Sequence, residues 1–346
     1  MNLNNKLNMV STNINIMRFV AALIVIIGHS FSLTGHPSDL LEIFSNQQIS
    51  MGGFSVGIFF FLSGLYVSKS LEKSSDYFTF MKKRCIRIFP QLWIVIGATV
   101  FLLGPLMTDL SYSEYLMNKQ TWLYLFNCIL KPTHVLPGVF TNNIWGNTVN
   151  GALWTLPVEF ALYIMLVLIV IFSSKYKNKT KAERFMHLLG FFLALIAVVY
   201  ADYYLKNAFL VRVFRPVVLF LVGTLYFDYA KFIKVDIKIA LVALLLLIIS
   251  FRLPVANILY CILLPYVIVG FGLCDKQIKY NGILGKISYE MYLVGAVIQQ
   301  TLISLNGGEM KQSVNACVSI IIDIFIAIIL YKLVEYIENG KRRKKA

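Results

Sequence analysis

Two ionisable residues lie inside the first apolar segment, at a spacing that puts them on one face of a helix. Arg18 and His29 are eleven residues apart, and eleven steps of about 100° return to nearly the same face, about 16 Å further along the axis. Ionisable side chains are costly inside a membrane and usually serve a function. His29 could therefore transfer protons. The alternatives are a packing histidine for His29 and a topology anchor for Arg18.

A third ionisable residue, Glu159, lies in a later apolar segment that begins at Asn150. By the helical rise, Glu159 lies about 13 Å below the start of this segment, and His29 lies about 10 Å below the outer edge of the hydrocarbon core. The two depths agree within the uncertainty of the helix ends. Pro157 has no N–H group to donate to the Leu153 carbonyl. That carbonyl is therefore left as a free acceptor near the Glu159 carboxylate. A histidine and a carboxylate at one depth predict either a proton-transfer pair or a structural pair.

Two further motifs could bind a ligand. Arg84 and Arg87 share a helix face, and guanidinium groups bind phosphate through paired hydrogen bonds. The alternative for the two arginines is a basic loop that only fixes topology. The second apolar segment is rich in glycine, which allows close helix packing, but Ser63 and Gly64 could instead leave space for a ligand.

Ten apolar segments must position these residues. Hydrophobic residues make up 58% of the chain and charged residues only 14%, which is unlike a soluble domain. Crossing the hydrocarbon takes about 20 mostly apolar residues. The first segment lacks a signal-peptide cleavage site and is interpreted as a helix. The predicted helices are 16–33, 52–70, 86–107, 150–173, 187–204, 211–230, 237–251, 256–273, 286–305 and 315–336.

The net charge of +15 is interpreted as topology rather than nucleic-acid binding. Most basic residues fall in alternate loops, which predicts both termini in the cytoplasm. Residues 1–346 are therefore expected to form a single all-α, multi-pass domain in the cell membrane. The basic tail from Gly340 to Ala346 should contact anionic lipid. The five cysteines form no C-x-x-C pair and predict neither a disulfide framework nor a metal site.

The longest loop, residues 108–149, is predicted on the outer side. Long loops in compact proteins are often functional. Its aromatic residues, among them Trp122 and Trp145, could stack on sugar rings or form an aromatic belt at the membrane interface. The sequence leaves both alternatives open.

In combination, these motifs resemble the membrane acyltransferase-3 family, in the branch similar to surface-polysaccharide O-acetyltransferases. The motifs that carry the resemblance, in chain order, are Arg18-x10-His29, the run from Gly57 to Phe-Leu-Ser-Gly64, Arg84-x-x-Arg87 with Pro90, and Asn150-Gly-x-Leu-Trp-Thr-Leu-Pro-Val-Glu159. The run from Ile287 to Leu293 is also similar, but Gly295 stands where a histidine commonly follows.

The resemblance implies acetyl transfer from cytoplasmic acetyl-CoA to a saccharide hydroxyl on the outer side. His29 would be the general base or would carry the acetyl group, with Glu159 and Arg18 as further catalytic residues. The expected donor-binding residues are Arg84, Arg87, Ser63 and Gly64, and the expected acceptor-binding residues are Asn150 and Trp154.

Two other functions remain possible from the sequence. A transporter or flippase for a lipid-linked sugar also has many helices and a few buried charges, but inverted repeats with broken helices, which would favour it, are not found. A non-catalytic membrane scaffold would not need Arg18, His29 and Glu159. The oligomeric state is left open, a homo-oligomer included.

Overall fold

The structure is a computed structural model that describes residues 1–9, 11–280 and 282–343, with side chains up to residue 339. The described residues form helices, turns and loops, with isolated bridges as their only β-structure. The side chains of the basic tail, Gly340 to Ala346, lie outside the described residues. We number ten long helices in chain order: α1 Thr12–Leu33, α2 Met51–Glu72, α3 Tyr77–Ala98, α4 Thr155–Ser173, α5 Lys179–Val199, α6 Ala208–Asp228, α7 Ile237–Ser250, α8 Ala256–Gly272, α9 Ser288–Leu305 and α10 Gln312–Arg343.

Each predicted apolar segment is helical, but the helices differ in their ability to span a membrane. Within the described residues, seven are long and apolar enough to cross it, namely α1 to α6 and α10. Helices α7 and α8 have only 14 and 17 residues, and α9 carries Glu290, Gln299 and Gln300. The described chain is thus a helical, polytopic membrane protein. Ten crossings and cytoplasmic termini stay predictions.

Helix α3 begins at Tyr77, well before the predicted apolar segment at residue 86. Asp76 precedes it, and the Asp76 Oδ1 atom accepts a hydrogen bond from the Thr79 N–H at 2.7 Å. Such a contact satisfies a free N–H group at a helix start. It also holds the pKa of the Asp76 carboxyl below its ordinary value. The basic run Lys82-Lys83-Arg84 interrupts the apolar pattern and hides this start from hydropathy, and the longer helix contains Arg84 and Arg87.

The chain forms two compact units, each built from distant segments of the sequence. Unit 1 contains Met1–Ala21, Leu40–Lys83 and Val158–Gly282. Unit 2 contains Ala22–Asp39, Arg84–Pro157 and Ile283–Ala346. Helices α1, α3 and α4 each contribute residues to both units.

Two glycines in unit 1 allow the backbones of α2 and α6 to approach closely. A Cβ atom on Gly64 would lie 2.0 Å from the carbonyl oxygen of Phe220, and one on Gly223 would lie 2.3 Å from that of Phe61. Small residues allow such backbone approach between membrane helices. The sequence predicts space for a ligand at Gly64, but the structure fills this space with the α6 backbone.

We expect Gly64→Ala to destabilise the protein by about 1–3 kcal/mol, because the added methyl group overpacks a contact with backbone atoms. Gly97→Ala is the matched control, because a Cβ atom on this helical glycine meets nothing within 4 Å. The control should be neutral or stabilising by up to about 1 kcal/mol. The measurement is the thermal unfolding midpoint in one detergent, and equal midpoints would contradict the α2–α6 contact.

The long segment between α3 and α4, in unit 2, has its own folded core. It contains the short helices Tyr112–Met117 and Lys119–Leu123 and a 3-10 turn at Tyr124–Ile129. Tyr115 is fully buried, and its hydroxyl donates to the Val100 carbonyl at 2.9 Å. Trp122 and Trp145 remain about half exposed, as contact with a sugar or with the membrane interface requires.

Candidate active site

Helix α1 carries Arg18 and His29 on one continuous helix, as predicted. Both side chains are half-buried. Arg18 belongs to the part of α1 in unit 1, and His29 belongs to the part in unit 2. The surroundings of each residue are therefore set by different helices.

In unit 1, α2 brings Arg18 close to an aromatic ring. The Arg18 guanidinium carbon lies 5.5 Å from the ring centre of Tyr66, which is cation–π range. Ser63 stands three residues before Tyr66 and shares its helix face. The same face of α2 therefore carries the aromatic contact of Arg18 and a hydroxyl group.

That hydroxyl group contacts Glu159 of α4. Ser63 Oγ donates to Glu159 Oε1 at 3.0 Å, and the Tyr163 hydroxyl donates to the same oxygen. The two hydroxyl groups hold this carboxylate oxygen in place. Unit 1 thus groups Arg18, Ser63 and Glu159 around α2 and adds Tyr163, which the sequence interpretation missed. The expected pairing of Glu159 with His29 stays a prediction.

In unit 2, two glutamine side chains fix the helical turn that carries His29. Gln299 of α9 donates through Nε2 to the Ile26 carbonyl at 2.8 Å. Gln312, at the start of α10, donates through Nε2 to Ser30 Oγ at 2.7 Å. These two contacts come from different helices and flank His29 along α1. Neither glutamine was predicted, although an amide inside an apolar segment needs a hydrogen-bond partner and so signals a contact.

Hydrogen bonds within unit 2 hold the segment 143–148 beside the end of α1. The Trp145 indole donates to the Ser32 carbonyl at 3.0 Å. Gln300 Nε2 donates to the Thr148 carbonyl at 2.8 Å, and Asn143 Nδ2 donates to the Gln300 carbonyl at 2.8 Å. Since Ser32 follows His29 by three residues, this segment lies close to the end of the His29 helix.

The side chain of Asn150 is occupied within the fold. Its Nδ2 donates to the Leu293 carbonyl at 2.8 Å, and its Oδ1 accepts from the Ala152 N–H at 3.1 Å. Asn150 is almost fully buried, whereas Trp154 is half-buried. The geometry gives Asn150 a structural role at the start of the 3-10 turn before α4, in contrast to the expected acceptor contact.

The two arginines of α3 have different environments. Arg84 is half-buried, and Arg87 is exposed with its guanidinium carbon 5.6 Å from the Tyr289 ring centre. The next residue, Glu290, is fully buried and accepts from Gln91 Nε2 at 3.4 Å. The sequence interpretation used the run around Glu290 only as a resemblance. A carboxylate inside an apolar segment was the signal that could have given it a role.

The comparisons with known proteins agree with these motifs. Residues 11–332 match the model of an acyltransferase domain family, acyltransferase-3. An O-acetyl transferase of Shigella phage Sf6 is 36% identical over 150 residues, which are 43% of this chain and 42% of that relative. Nodulation protein 10 of Rhizobium leguminosarum bv. viciae is 29% identical over 174 residues, 48% of this chain and 46% of that relative. The alignments thus span less than half the length of these relatives. No solved structure matches significantly.

Proposed function

Because the chain belongs to the acyltransferase-3 family, we propose that it transfers an acetyl group from acetyl-CoA to a saccharide hydroxyl at the cell membrane. One observation carries the catalytic part of this proposal. The helical turn that carries His29 is fixed on both sides of this residue, by Gln299 at the Ile26 carbonyl and by Gln312 at Ser30 Oγ. A positioned histidine near neutral pH is suited to general base catalysis.

The proposed chemistry moves one acetyl group and one proton. The saccharide hydroxyl attacks the acetyl carbonyl carbon, a C–O bond forms and the C–S bond of the thioester breaks. His29 takes the hydroxyl proton, and the CoA thiolate receives a proton. In a second form, His29 first carries the acetyl group and the hydroxyl then displaces it. Both forms give the acetyl ester and free CoA.

Arg18 and Glu159 are proposed to assist this reaction by stabilising charge and by orienting the reacting groups. The Arg18 guanidinium would stabilise negative charge on the attacked carbonyl or contact CoA. Glu159 would orient His29 or the acceptor. Ser63 and Tyr163 hold the Glu159 carboxylate through one oxygen. The second carboxylate oxygen would make the functional contact.

The donor phosphates are proposed to bind at α3. Arg84 and Arg87 lie one turn apart there, and the exposed Arg87 guanidinium has a planar partner in Tyr289. The location suits acetyl-CoA if this end of α3 faces the cytoplasm, as the distribution of basic residues predicts.

We expect Arg84→Ala and Arg87→Ala each to weaken CoA binding about 10- to 100-fold, because a hydrogen bond to a charged group contributes about 1.5–3 kcal/mol. Lys83→Ala is the matched control, because Lys83 is exposed on the same helix and is not one of the proposed phosphate contacts. The measurement is CoA affinity of the purified proteins by calorimetry. Unchanged affinity in both arginine variants would assign these residues to topology.

The proposed acceptor is a surface or lipid-linked saccharide on the outer side, where Trp122 and Trp145 could stack on sugar rings. The name of the phage relative, O-acetyl transferase, supports acetyl transfer to an oxygen atom. The direct experiment compares O-acetylation of surface polysaccharide by mass spectrometry in cells with and without the gene. Release of free thiol from acetyl-CoA by purified protein with saccharide supports the enzyme. Sugar movement across vesicles without thiol release would support the transporter instead.

A further inference from the structure

A row of fully buried polar residues lines the contact between α9 and α10 in unit 2, apart from the proposed active site. Asn315, Ser319 and Asp323 follow each other at steps of four residues and therefore share one face of α10. All three are completely buried, as is Gln299 of α9. We call Gln299, Asn315, Ser319 and Asp323 the polar seam.

The two sides of the seam are joined by hydrogen bonds. Gln299 Nε2 donates to Asn315 Oδ1 at 3.1 Å, and Asn315 Nδ2 donates to the Gln299 carbonyl at 3.2 Å. Further along, a Cβ atom on Gly295 would lie 3.9 Å from Asp323 Oδ2. Asp323 therefore points at α9 and is not turned toward lipid.

The seam contains oxygen atoms that the protein does not satisfy. Among the described residues, Asp323 Oδ1 and Oδ2, Ser319 Oγ and Gln299 Oε1 are buried without a hydrogen-bond partner. Asp323 also takes part in none of the ion pairs found in the described residues. Buried polar groups are normally satisfied, so four such atoms along one contact need an explanation.

The position of Asp323 makes a bare negative charge very costly. It lies about 16 Å along α10 from Gln312 by the helical rise, close to the middle of a hydrocarbon core of about 30 Å. A carboxylate there is expected to be neutralised by a partner or by a bound ion. A single carboxylate is balanced by a single positive charge.

The donor set indicates which ligand fits. Carboxylate, hydroxyl and amide oxygens are ligands for hard cations. The described residues hold no group of three or more His, Cys, Asp or Glu side chains that could hold a metal ion, so a multivalent ion would lack the charged ligands it needs. We propose that the polar seam binds one monovalent cation, held either as a sodium ion or as a proton.

Other ionisable groups on the packed helices do not supply this charge. On α1 the ionisable group within unit 2 is His29, and on α9 Glu290 is a second acid, which accepts from Gln91. On α10 itself, Lys332 and Glu335 lie at least nine residues beyond Asp323 and are exposed. Because Gln299 also donates to the Ile26 carbonyl, a cation in the seam would stiffen the helical turn before His29.

The first test follows thermal unfolding of the protein alone, without donor or acceptor, so that its result does not depend on the proposed function. Sodium chloride is compared with choline chloride at equal ionic strength, and mildly acidic with mildly alkaline buffer. A sodium site should raise the unfolding midpoint by about 3 °C or more in sodium. A proton site should leave sodium without effect and should lose stability as the pH rises, because the folded state then holds more protons than the unfolded state.

Either response should disappear in Asp323→Asn and persist in Glu335→Gln, an exposed carboxylate on the same helix. A second measurement needs no variant. Dicyclohexylcarbodiimide adds to protonated carboxyl groups, and mass spectrometry locates the adduct. Labelling of Asp323 should be suppressed by sodium for a sodium site and by alkaline pH for a proton site. Equal stability responses of wild type and Asp323→Asn, or labelling of Asp323 that is absent or insensitive to both conditions, would overturn the proposal.

Discussion

His29→Ala should abolish acetyl transfer while the protein still folds and inserts. Loss of a general base costs about 10²- to 10⁴-fold in rate, and loss of an acetyl-carrying group costs at least as much. Folding should survive because Gln299 and Gln312 hold the backbone and Ser30 rather than the imidazole. The measurement is thiol release and acetylated saccharide per mole of purified protein.

A matched control for this variant is His36→Ala, since His36 is exposed just beyond the end of α1. Its ring contacts Phe31 and lies 3.1 Å from Thr34 Oγ1, so it also tests whether loss of any histidine near this end is harmful. His36→Ala should keep nearly full activity. Near-normal product from a well-expressed His29→Ala protein would remove His29 from the mechanism.

Glu159→Gln should lower turnover by about 10²-fold or more, because it removes a charge from the proposed active site. The amide keeps the shape and an oxygen that can accept from Ser63 and Tyr163, so the local fold should persist. CoA affinity should stay close to normal, since the proposed phosphate contacts lie on α3. Yield, unfolding midpoint, CoA affinity and turnover are measured on one purified sample.

Tyr163→Phe separates charge from hydrogen bonding at the same carboxylate. It removes one donor to Glu159 Oε1 and leaves the charge and the Ser63 contact in place. The expected loss of turnover is about tenfold, which corresponds to one hydrogen bond.

A stable Glu159→Gln protein with normal turnover would refute the catalytic role of Glu159, and an unfolded one would make Glu159 structural.

The helices could be predicted because each depends on a local property of the sequence. Ten apolar segments gave ten helices, even at Ile237–Ser250, because apolar length alone specifies a helix in a membrane. The start of α3 was placed too late, since the basic run Lys82-Lys83-Arg84 interrupts the apolar pattern while the helix itself begins at Tyr77.

The partners of the site residues could not be predicted, because they depend on which helix faces which. The sequence singled out Ser63 and Glu159 but gave no reason to join them, whereas the structure places them 3.0 Å apart. The sequence could not decide between packing and ligand binding at Gly64 for the same reason, because a glycine leaves room equally for a ligand or for a neighbouring backbone. Gln299 and Gln312 were missed because they lie far from α1 in the sequence.

The adjacent amides Gln299 and Gln300 also constrain how this protein can evolve. Gln299 donates to α1, and Gln300 donates to the segment before α4. Both contacts therefore depend on the direction in which the two side chains leave α9. A one-residue insertion inside α9 before Gln299 would rotate the rest of that helix by about 100° and would turn both amides from their targets together. Viable insertions and deletions should therefore accumulate in the connections on either side of α9, while the helix keeps a fixed length up to these two residues.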